Sequence, residues 1–172
     1  MEAYGKNNFV MMKNFMKKVV RSFDVSSGAT RVGAIVYSTN STVAFKHDRY
    51  PNYEDVEQAI DSMSYPSGGT YTGKALTEAT NSLFNNASVR VNVPKVLVVL
   101  TDGVSTDNVT QPSKILINNG VLVYVVAIGQ DIDRTQLTQI AHGKPERVFA
   151  TEFGSLGSVS SDVRAAICRG KE

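Results

Sequence analysis

The stretch Val96–Thr106, which reads VLVVLTDGVST, decides the fold. Its short run of β-branched and leucine side chains shows no alternation, which is typical of a strand buried on both faces of a parallel sheet. Ligands of such sheets bind just beyond the carboxyl ends of the strands. Asp102 stands at that end, and Gly103 lets the chain turn away. The segment therefore predicts either a carboxylate that meets a metal or polar ligand, or a plain Asp-Gly turn.

A second segment, Ser67–Leu76 (SGGTYTGKAL), places glycines and hydroxyls directly before a predicted helix. Thr70 and Thr72 bring hydroxyls beside the free N–H groups of the helix start, so we expect one of them to serve as the N-cap. A hydroxyl loop together with Asp102 also suits a hard cation, because Mg²⁺ takes oxygen ligands.

The rest of the chain alternates strands with helices. This order predicts right-handed crossovers and a doubly wound α/β sheet, and we expect residues 1–172 to form a single domain. The predicted elements are helices at 7–23, 53–63, 73–85, 110–118, 133–141 and 158–168, and strands at 31–38, 42–46, 95–101, 121–128 and 146–150.

Composition excludes several classes of protein. With 42% hydrophobic and 20% charged residues, the chain is an ordinary globular sequence. A net charge of +2 gives no support for a nucleic-acid surface. No apolar run reaches the ~20 residues of a membrane span, and the N-terminus is no signal peptide. The first helix carries a cluster of four basic residues, Lys13, Lys17, Lys18 and Arg21. We interpret this cluster as a solvated helix face, with a binding site for a polyanion as the alternative.

The chain resembles the von Willebrand factor type A domain of matrilins, collagens and integrin inserted domains. The resemblance covers nearly all of it and is carried by NNFVMMKNFMKKVVRSF, RVGAIVYS, SGGTYTGKAL, VLVVLTDG, VLVYVVAIG and AAIC. It implies a mostly parallel sheet flanked by helices and a metal-ion-dependent adhesion site for Mg or Mn. Thr70, the first threonine of the T-x-T-G pattern, and Asp102 match two of the family's metal ligands. The ligand-binding rim around them would comprise Gly69, Tyr71, Thr72, Gly103 and Ser105.

One family motif is missing from the sequence. Asp-x-Ser-x-Ser, which ends the family's first, central strand and supplies three metal ligands, does not occur in the 172 residues. The resemblance begins where that motif would have finished, so either the sequence starts at an internal methionine or the form is naturally shortened. Two of five ligands remain, and we expect this chain to bind no cation more tightly than millimolar.

The same departure predicts an N-terminally truncated sheet. In the family, the first strand lies between the strands that match 31–38 and 95–101. Without it, either these two strands pair directly or a second chain fills the gap, because open strand edges are templates for pairing. Self-association, giving a homo-oligomer, is the favoured outcome.

The resemblance implies an extracellular protein-binding module for adhesion or matrix interaction. Its partner would be a matrix protein such as collagen, or a second copy of the chain. One alternative is a metal-free assembly module with the same fold. Another is a P-loop nucleotide hydrolase, since Gly68–Lys74 nearly spells G-x-x-x-x-G-K, but Ala75 stands where Ser or Thr is needed and a helix precedes the loop. No nucleophile, base and oxyanion site assembles, so we expect no enzyme.

Two features favour secretion, with any signal outside this sequence. Asn40, Asn86 and Asn108 begin glycosylation sequons in predicted loops or at element ends. Cys168, the sole cysteine, is either the leftover half of the disulfide that closes many extracellular members of this family, or a half-buried structural thiol.

Overall fold

The computed structural model describes residues 2–85, 87 and 89–170. In these residues the helices and strands follow the predicted alternation, with short 3₁₀ turns at Pro145–Arg147 and Phe153–Ser155 and a π-helical turn at Thr80–Phe84 after the third helix. The helices are α1 Glu2–Arg21, α2 Tyr53–Asp61, α3 Thr72–Ala79, α4 Thr110–Asn118, α5 Arg134–Ile140 and α6 Leu156–Arg169. The strands are β1 Ala34–Tyr37, β2 Ser41–Phe45, β3 Lys95–Thr101, β4 Val121–Ile128 and β5 Val148–Thr151.

Three strands form the parallel sheet that the apolar runs predicted. β4 lies in the middle, with β3 on one edge and β5 on the other. The register pairs Lys95 with Val121 at one end of β3 and Thr101 with Ala127 at the other. The α/β class with a parallel sheet flanked by helices is therefore confirmed.

Helices cover both faces of this sheet because alternate residues of β4 point to opposite sides. Val121, Val123 and Val125 pack towards α3, α4 and α5. Tyr124 and Val126 pack towards α1 and α6. On the second face the main buried contributions from the helices are Phe15, Val19, Leu156, Val163 and Ile167.

The remaining two strands form a separate antiparallel hairpin. β1 pairs with β2, and Tyr37 lies opposite Ser41 at the turn. In the described part of the chain β1 and β3 are not hydrogen-bonded neighbours. Of the two predicted outcomes, direct pairing of these strands is therefore wrong, while the favoured one, in which a second chain fills the gap, stays a prediction. Closing up would require α1 and α3, which pack on opposite faces beside this gap, to repack together.

The basic face of α1 is only partly solvated. The Lys17 ammonium lies 2.7 Å from the Asp61 carboxylate at the end of α2, and this hydrogen bond raises the pKa of Lys17. Lys13 donates to the Asp61 carbonyl at 2.9 Å. Two members of the cluster therefore tie α1 to α2. Among the described residues, no helix combines the length and apolarity needed to cross a membrane.

Candidate functional site

The Gly–Thr loop, residues 67–71, lies between the end of β1 and the segment that follows β3. The Gly69 N–H donates to the Thr39 hydroxyl at 3.0 Å, and the Tyr71 N–H donates to the Ser38 carbonyl at 3.1 Å. On the other side, the Thr106 N–H donates to the Thr70 carbonyl at 2.9 Å. These bonds fix the loop at the carboxyl ends of both β1 and β3.

Thr70 and Asp102, the two matched ligand positions, are brought to the same place. Both line one cavity between β1 and β3. A Cβ atom placed on Gly103, the residue after Asp102, would lie 3.4 Å from the Thr70 hydroxyl. Asp102 is exposed and Thr70 is half-buried. We call the opening formed by Gly69, Thr70, Tyr71, Asp102 and Gly103 the rim.

Two residues assigned to this rim from the sequence lie beneath it. Thr72 is 1% exposed and Ser105 is 7% exposed, so neither offers its side chain to a partner of the free chain. The Thr72 N–H donates to the Ser105 hydroxyl at 2.9 Å, and that hydroxyl donates to the Asp107 carboxylate at 2.6 Å. Their role in this structure is to hold the rim from below.

Asp107 is the residue that sequence reasoning missed. Its two carboxylate oxygens accept from the N–H groups of Gly73 and Lys74, each at 2.8 Å. A carboxylate at a helix N-terminus satisfies free N–H groups and interacts favourably with the helix dipole. The expectation that Thr70 or Thr72 caps α3 is therefore wrong, because the N-cap position is Tyr71 and the capping side chain comes from across the site.

The close approach of the start of α3 to the segment after β3 explains why the T-x-T-G pattern has a glycine at position 73. A Cβ on Gly73 would lie 2.1 Å from the Asn108 carbonyl oxygen and 2.9 Å from the Asp107 carboxylate. Only glycine lets the start of α3 come this near to the segment after β3. The T-x-T-G pattern thus encodes the contact between the two segments that build the rim.

The oxygen atoms at the site are a poor fit to a divalent cation. Ser105 and Asp107 are engaged in capping α3, which leaves the Thr70 hydroxyl and the Asp102 carboxylate. Within the described residues no group of three or more His, Cys, Asp or Glu side chains is placed to hold a metal. Mg²⁺ requires an octahedral set of oxygens and loses its waters reluctantly. One hydroxyl and one carboxylate do not provide such a set.

The cavity behind the rim has a volume of about 220 Å³. Two of its sides are the facing edges of β1 and β3, at Ala34–Ser38 and Leu97–Asp102. α1 closes one face and α3 the other, and the rim lies at one end. We call this space the strand slot.

Tyr37 crosses the strand slot just below the rim. Its ring is half-buried and its hydroxyl donates to the Leu100 carbonyl at 3.1 Å. Burial raises the pKa of the Tyr37 phenol, and the negative charges of Asp102 and Asp107 act in the same direction. The phenol therefore stays neutral well into the alkaline range and remains a hydrogen-bond donor.

The P-loop alternative lacks its structural context. The segment before the Gly–Thr loop is α2, not a strand. The Lys74 ammonium stacks 4.6 Å from the centre of the Tyr71 ring and donates to the Thr39 carbonyl at 3.3 Å. Since a P-loop joins a strand to a helix, this loop does not match one.

The structure describes two of the three sequon asparagines and Cys168. Asn40 and Asn108 are exposed, and the Asn108 side chain accepts from the Thr110 N–H at 2.9 Å. Asn86 lies outside the described residues. Cys168 is an exposed free thiol, so the half-buried structural alternative is wrong.

Comparison with known proteins finds a matching family model and similar sequences. The family model of the von Willebrand factor type A domain matches residues 2–162. The human collagen alpha-5(VI) chain is 38% identical over 168 residues, which cover 96% of this chain and 6% of that protein. Human matrilin-4 is 31% identical over 167 residues, covering 94% of this chain and 27% of its own length.

A solved structure shares the fold closely. Proximal thread matrix protein 1 from the mussel byssus, in a form with a zinc-occupied metal-ion-dependent adhesion motif, superposes with a TM-score of 0.87 at 29% identity. The match covers 94% of this chain and 41% of the mussel protein. The chain thus spans less than a tenth of the collagen VI relative and less than half of the mussel protein.

Proposed function

We propose that this chain, which belongs to the von Willebrand factor type A domain family, is a protein-binding module of the extracellular matrix. Collagen VI chains, vitrin and matrilin-4 are among its relatives, and they support this setting. We further propose that residues 1–172 act as one domain, that the protein is secreted, and that Asn40 and Asn108 carry glycans in loops beside the rim.

The rim is the proposed contact surface for a partner protein. The observation that carries this proposal is the exposed Asp102 carboxylate, which stands beside the half-buried Thr70 hydroxyl at the mouth of the strand slot. No ion-pair partner of Asp102 is found among the described residues. An exposed, unpaired carboxylate over a fixed loop suits a basic or hydroxyl-bearing patch on a matrix protein such as collagen, or on a second copy of this chain.

A metal-free mode of binding is favoured by the oxygen donors that remain. Thr70 and Asp102 would be the residues that contact Mg or Mn, and the cation would supply an open position for a partner carboxylate. Because two oxygens are a poor ligand set, we propose that these residues bind the cation weakly or not at all. The second candidate function is accordingly an assembly module that needs no metal.

Surface plasmon resonance on immobilised collagen and on the immobilised chain itself tests the rim. We expect Asp102→Ala to weaken binding by about tenfold, which corresponds to about 1.4 kcal/mol. Asp162→Ala, which removes an exposed charge from α6 outside the rim, is the matched control and should leave binding unchanged. Equal binding by both variants would refute the rim as the contact surface.

The same binding experiment, carried out with Mg²⁺ and with EDTA, tests whether binding requires a metal. Binding should be equal in Mg²⁺ and in EDTA, and calorimetry with Mg²⁺ or Mn²⁺ should give no site tighter than millimolar. A micromolar isotherm that Asp102→Ala abolishes would overturn the metal-free mode. Light scattering of the free chain tests the predicted homo-oligomer.

A further inference from the structure

A groove runs between α4 and α5, on the face of the sheet that α3, α4 and α5 cover. Its walls include Thr110, Lys114 and Ile117 of α4 and Arg134 and Thr138 of α5, and its volume is about 640 Å³. We call it the helix groove. The three α4 residues follow one another at spacings of four and three, so they form one stripe along the helix. The helix groove shares no lining residue with the strand slot or the rim.

α4 and α5 run in the same direction along the helix groove. The Thr110 hydroxyl donates to the Gln139 side-chain oxygen at 3.5 Å. Three residues further along each segment, His142 lies against the backbone of α4. This register places Arg134 at one end of the groove and Lys114 towards the other. The two positions are about 13 Å apart along the helix axes, because an α-helix rises about 1.5 Å per residue.

The middle of the helix groove presents carbon atoms more than free hydrogen-bond donors. The Thr138 hydroxyl donates to the Arg134 carbonyl at 2.7 Å, and the Ser113 hydroxyl donates to the Val109 carbonyl at 2.7 Å. Because these hydroxyls are engaged within their own helices, the walls offer a partner mainly methyl and methylene groups. Ile117, which is 46% exposed, extends this apolar surface. A partner would gain from placing apolar side chains there.

The charges that line the helix groove are positive. Lys114 and Arg134 are exposed, and neither has an ion-pair partner among the described residues. In the same part of the chain no Asp or Glu side chain lines the groove, and the Asp133 carboxylate accepts from N–H groups at the start of α5. Burial lowers the pKa of His142, so its imidazole adds no charge at pH 7. Acidic groups at the two ends of a partner segment would complement this pattern.

The walls of the helix groove offer side chains and no strand edge, because the backbone groups inside a helix bond to one another. An extended segment would find no backbone partners there, whereas a helical segment brings its own hydrogen bonds. Residues seven positions apart lie on one face of a helix and about 10 Å apart. Long acidic side chains at that spacing would reach both Lys114 and Arg134.

We propose that the helix groove binds a short amphipathic helix of a partner protein, with acidic residues at positions i and i+7 facing Arg134 and Lys114. Apolar residues at i+3 and i+4 cover the middle of the groove, and one at i+11 packs on Ile117. The helix runs in the same direction as α4.

Two other classes of ligand fit the helix groove less well. A sulfated glycan requires a continuous row of cations, whereas Lys114 and Arg134 are separated by a carbon-lined stretch. A small molecule is usually enclosed by its site, but the residues that line this groove come only from α4, α5 and the turn after α5. The site goes beyond the rim contact with a matrix protein and does not depend on it. Asn108, which we propose to carry a glycan, does not line the groove.

The test uses the full chain and a synthetic acetylated peptide amide, Ala-Gln-Glu-Ala-Gln-Leu-Leu-Ala-Gln-Glu-Ala-Gln-Ala-Leu-Gln-Ala, which is built from helix formers. Titration is followed by the amide NMR shifts of the chain. We expect a Kd of about 10–100 μM, with the shifted amides in 110–118 and 134–143. The control peptide carries proline in place of the central alanine, which breaks the helix, and it should shift no amide.

Charge complementarity is tested with variants of the chain. Arg134→Gln and Lys114→Gln should each weaken peptide binding by about threefold, which is the size of an exposed ion pair. A peptide with glutamine in place of both glutamates should bind these variants and the unsubstituted chain equally. Lys46→Gln, which removes an exposed charge outside the groove, is the matched control and should leave the affinity unchanged.

Four results would overturn the proposal. They are no binding up to millimolar peptide, equal binding by the proline peptide, unchanged affinity in both Arg134→Gln and Lys114→Gln, and displacement of the peptide by an equal concentration of a heparin fragment. The last result would make the groove a polyanion site. Collagen binding is measured on the same samples, so a failure of the rim and a failure of the helix groove are seen separately.

Discussion

β3 and β4 are neighbouring strands of nearly the same composition that differ sharply in burial. In β4, Val123, Val125 and Val126 are 0% exposed. In β3 only Val99 among the apolar residues is buried, at 6%. Within the described residues, β4 has a strand on each side, whereas β3 has a strand on one side. An apolar run therefore predicts a strand that suits a buried position. How far its side chains are buried depends on whether a neighbouring strand lies along each of its two edges.

The largest effect expected from this difference is on the free energy of unfolding when one valine in each strand is replaced by alanine. Val98 and Val126 lie on the same face, towards α1 and α6. Val126→Ala should lower the free energy of unfolding by about 2–3 kcal/mol, because it opens a cavity in a closed core. Val98→Ala should cost about 1 kcal/mol, since this side chain is only half-buried. Urea unfolding of the two variants measures both values, and equal costs would show that β3 is as enclosed as β4.

Tyr37→Phe is expected to have a smaller effect. It removes the hydrogen bond to the Leu100 carbonyl and should lower the free energy of unfolding by about 0.5–1.5 kcal/mol. Urea unfolding measures the change, and unchanged stability would show that the hydrogen bond between Tyr37 and Leu100 contributes nothing.

Stability should also depend on pH differently in Tyr37→Phe and in the unsubstituted chain. Because the pKa of Tyr37 is raised in the folded chain, the unfolded chain loses its phenolic proton first, near the ordinary value of 10.0. The contribution of this group to stability is therefore present below pH 10 and is lost as the pH rises towards the folded pKa. Urea midpoints at pH 9 and pH 11 should differ less in Tyr37→Phe than in the unsubstituted chain. An identical difference in both would remove Tyr37 as a cause.

The sequence predicts best where one local pattern determines the element. The predicted ranges 110–118 and 121–128 match α4 and β4 to the residue, because the helical periodicity ends, and the buried apolar run begins, at Asn119-Gly120. The helix predicted at 73–85 instead divides at Ala79 into α3 and a π-helical turn. The first helix starts at Glu2, five residues before its predicted start at residue 7.

The placement of Thr70 and Asp102 at one opening could be predicted from the sequence, whereas their role as a binding site stays a prediction. The paired motifs located Thr70 and Asp102 at one opening. They did not reveal that Asp107 caps α3, since that contact joins residues 33 and 34 positions apart in sequence. Nor did they show that Thr72 and Ser105 are buried, because burial there depends on how the segment after β3 folds over the helix start.

Residue-level hydrogen exchange of the free chain tests the open edge of β3 most directly. The amides of a strand with one neighbour point alternately to that neighbour and away from it. Every interior amide of β4 should therefore be strongly protected, while alternate amides of 97–100 in β3 should exchange much faster. Uniform protection along β3, equal to that of β4 in a monomeric chain, would contradict an open strand slot.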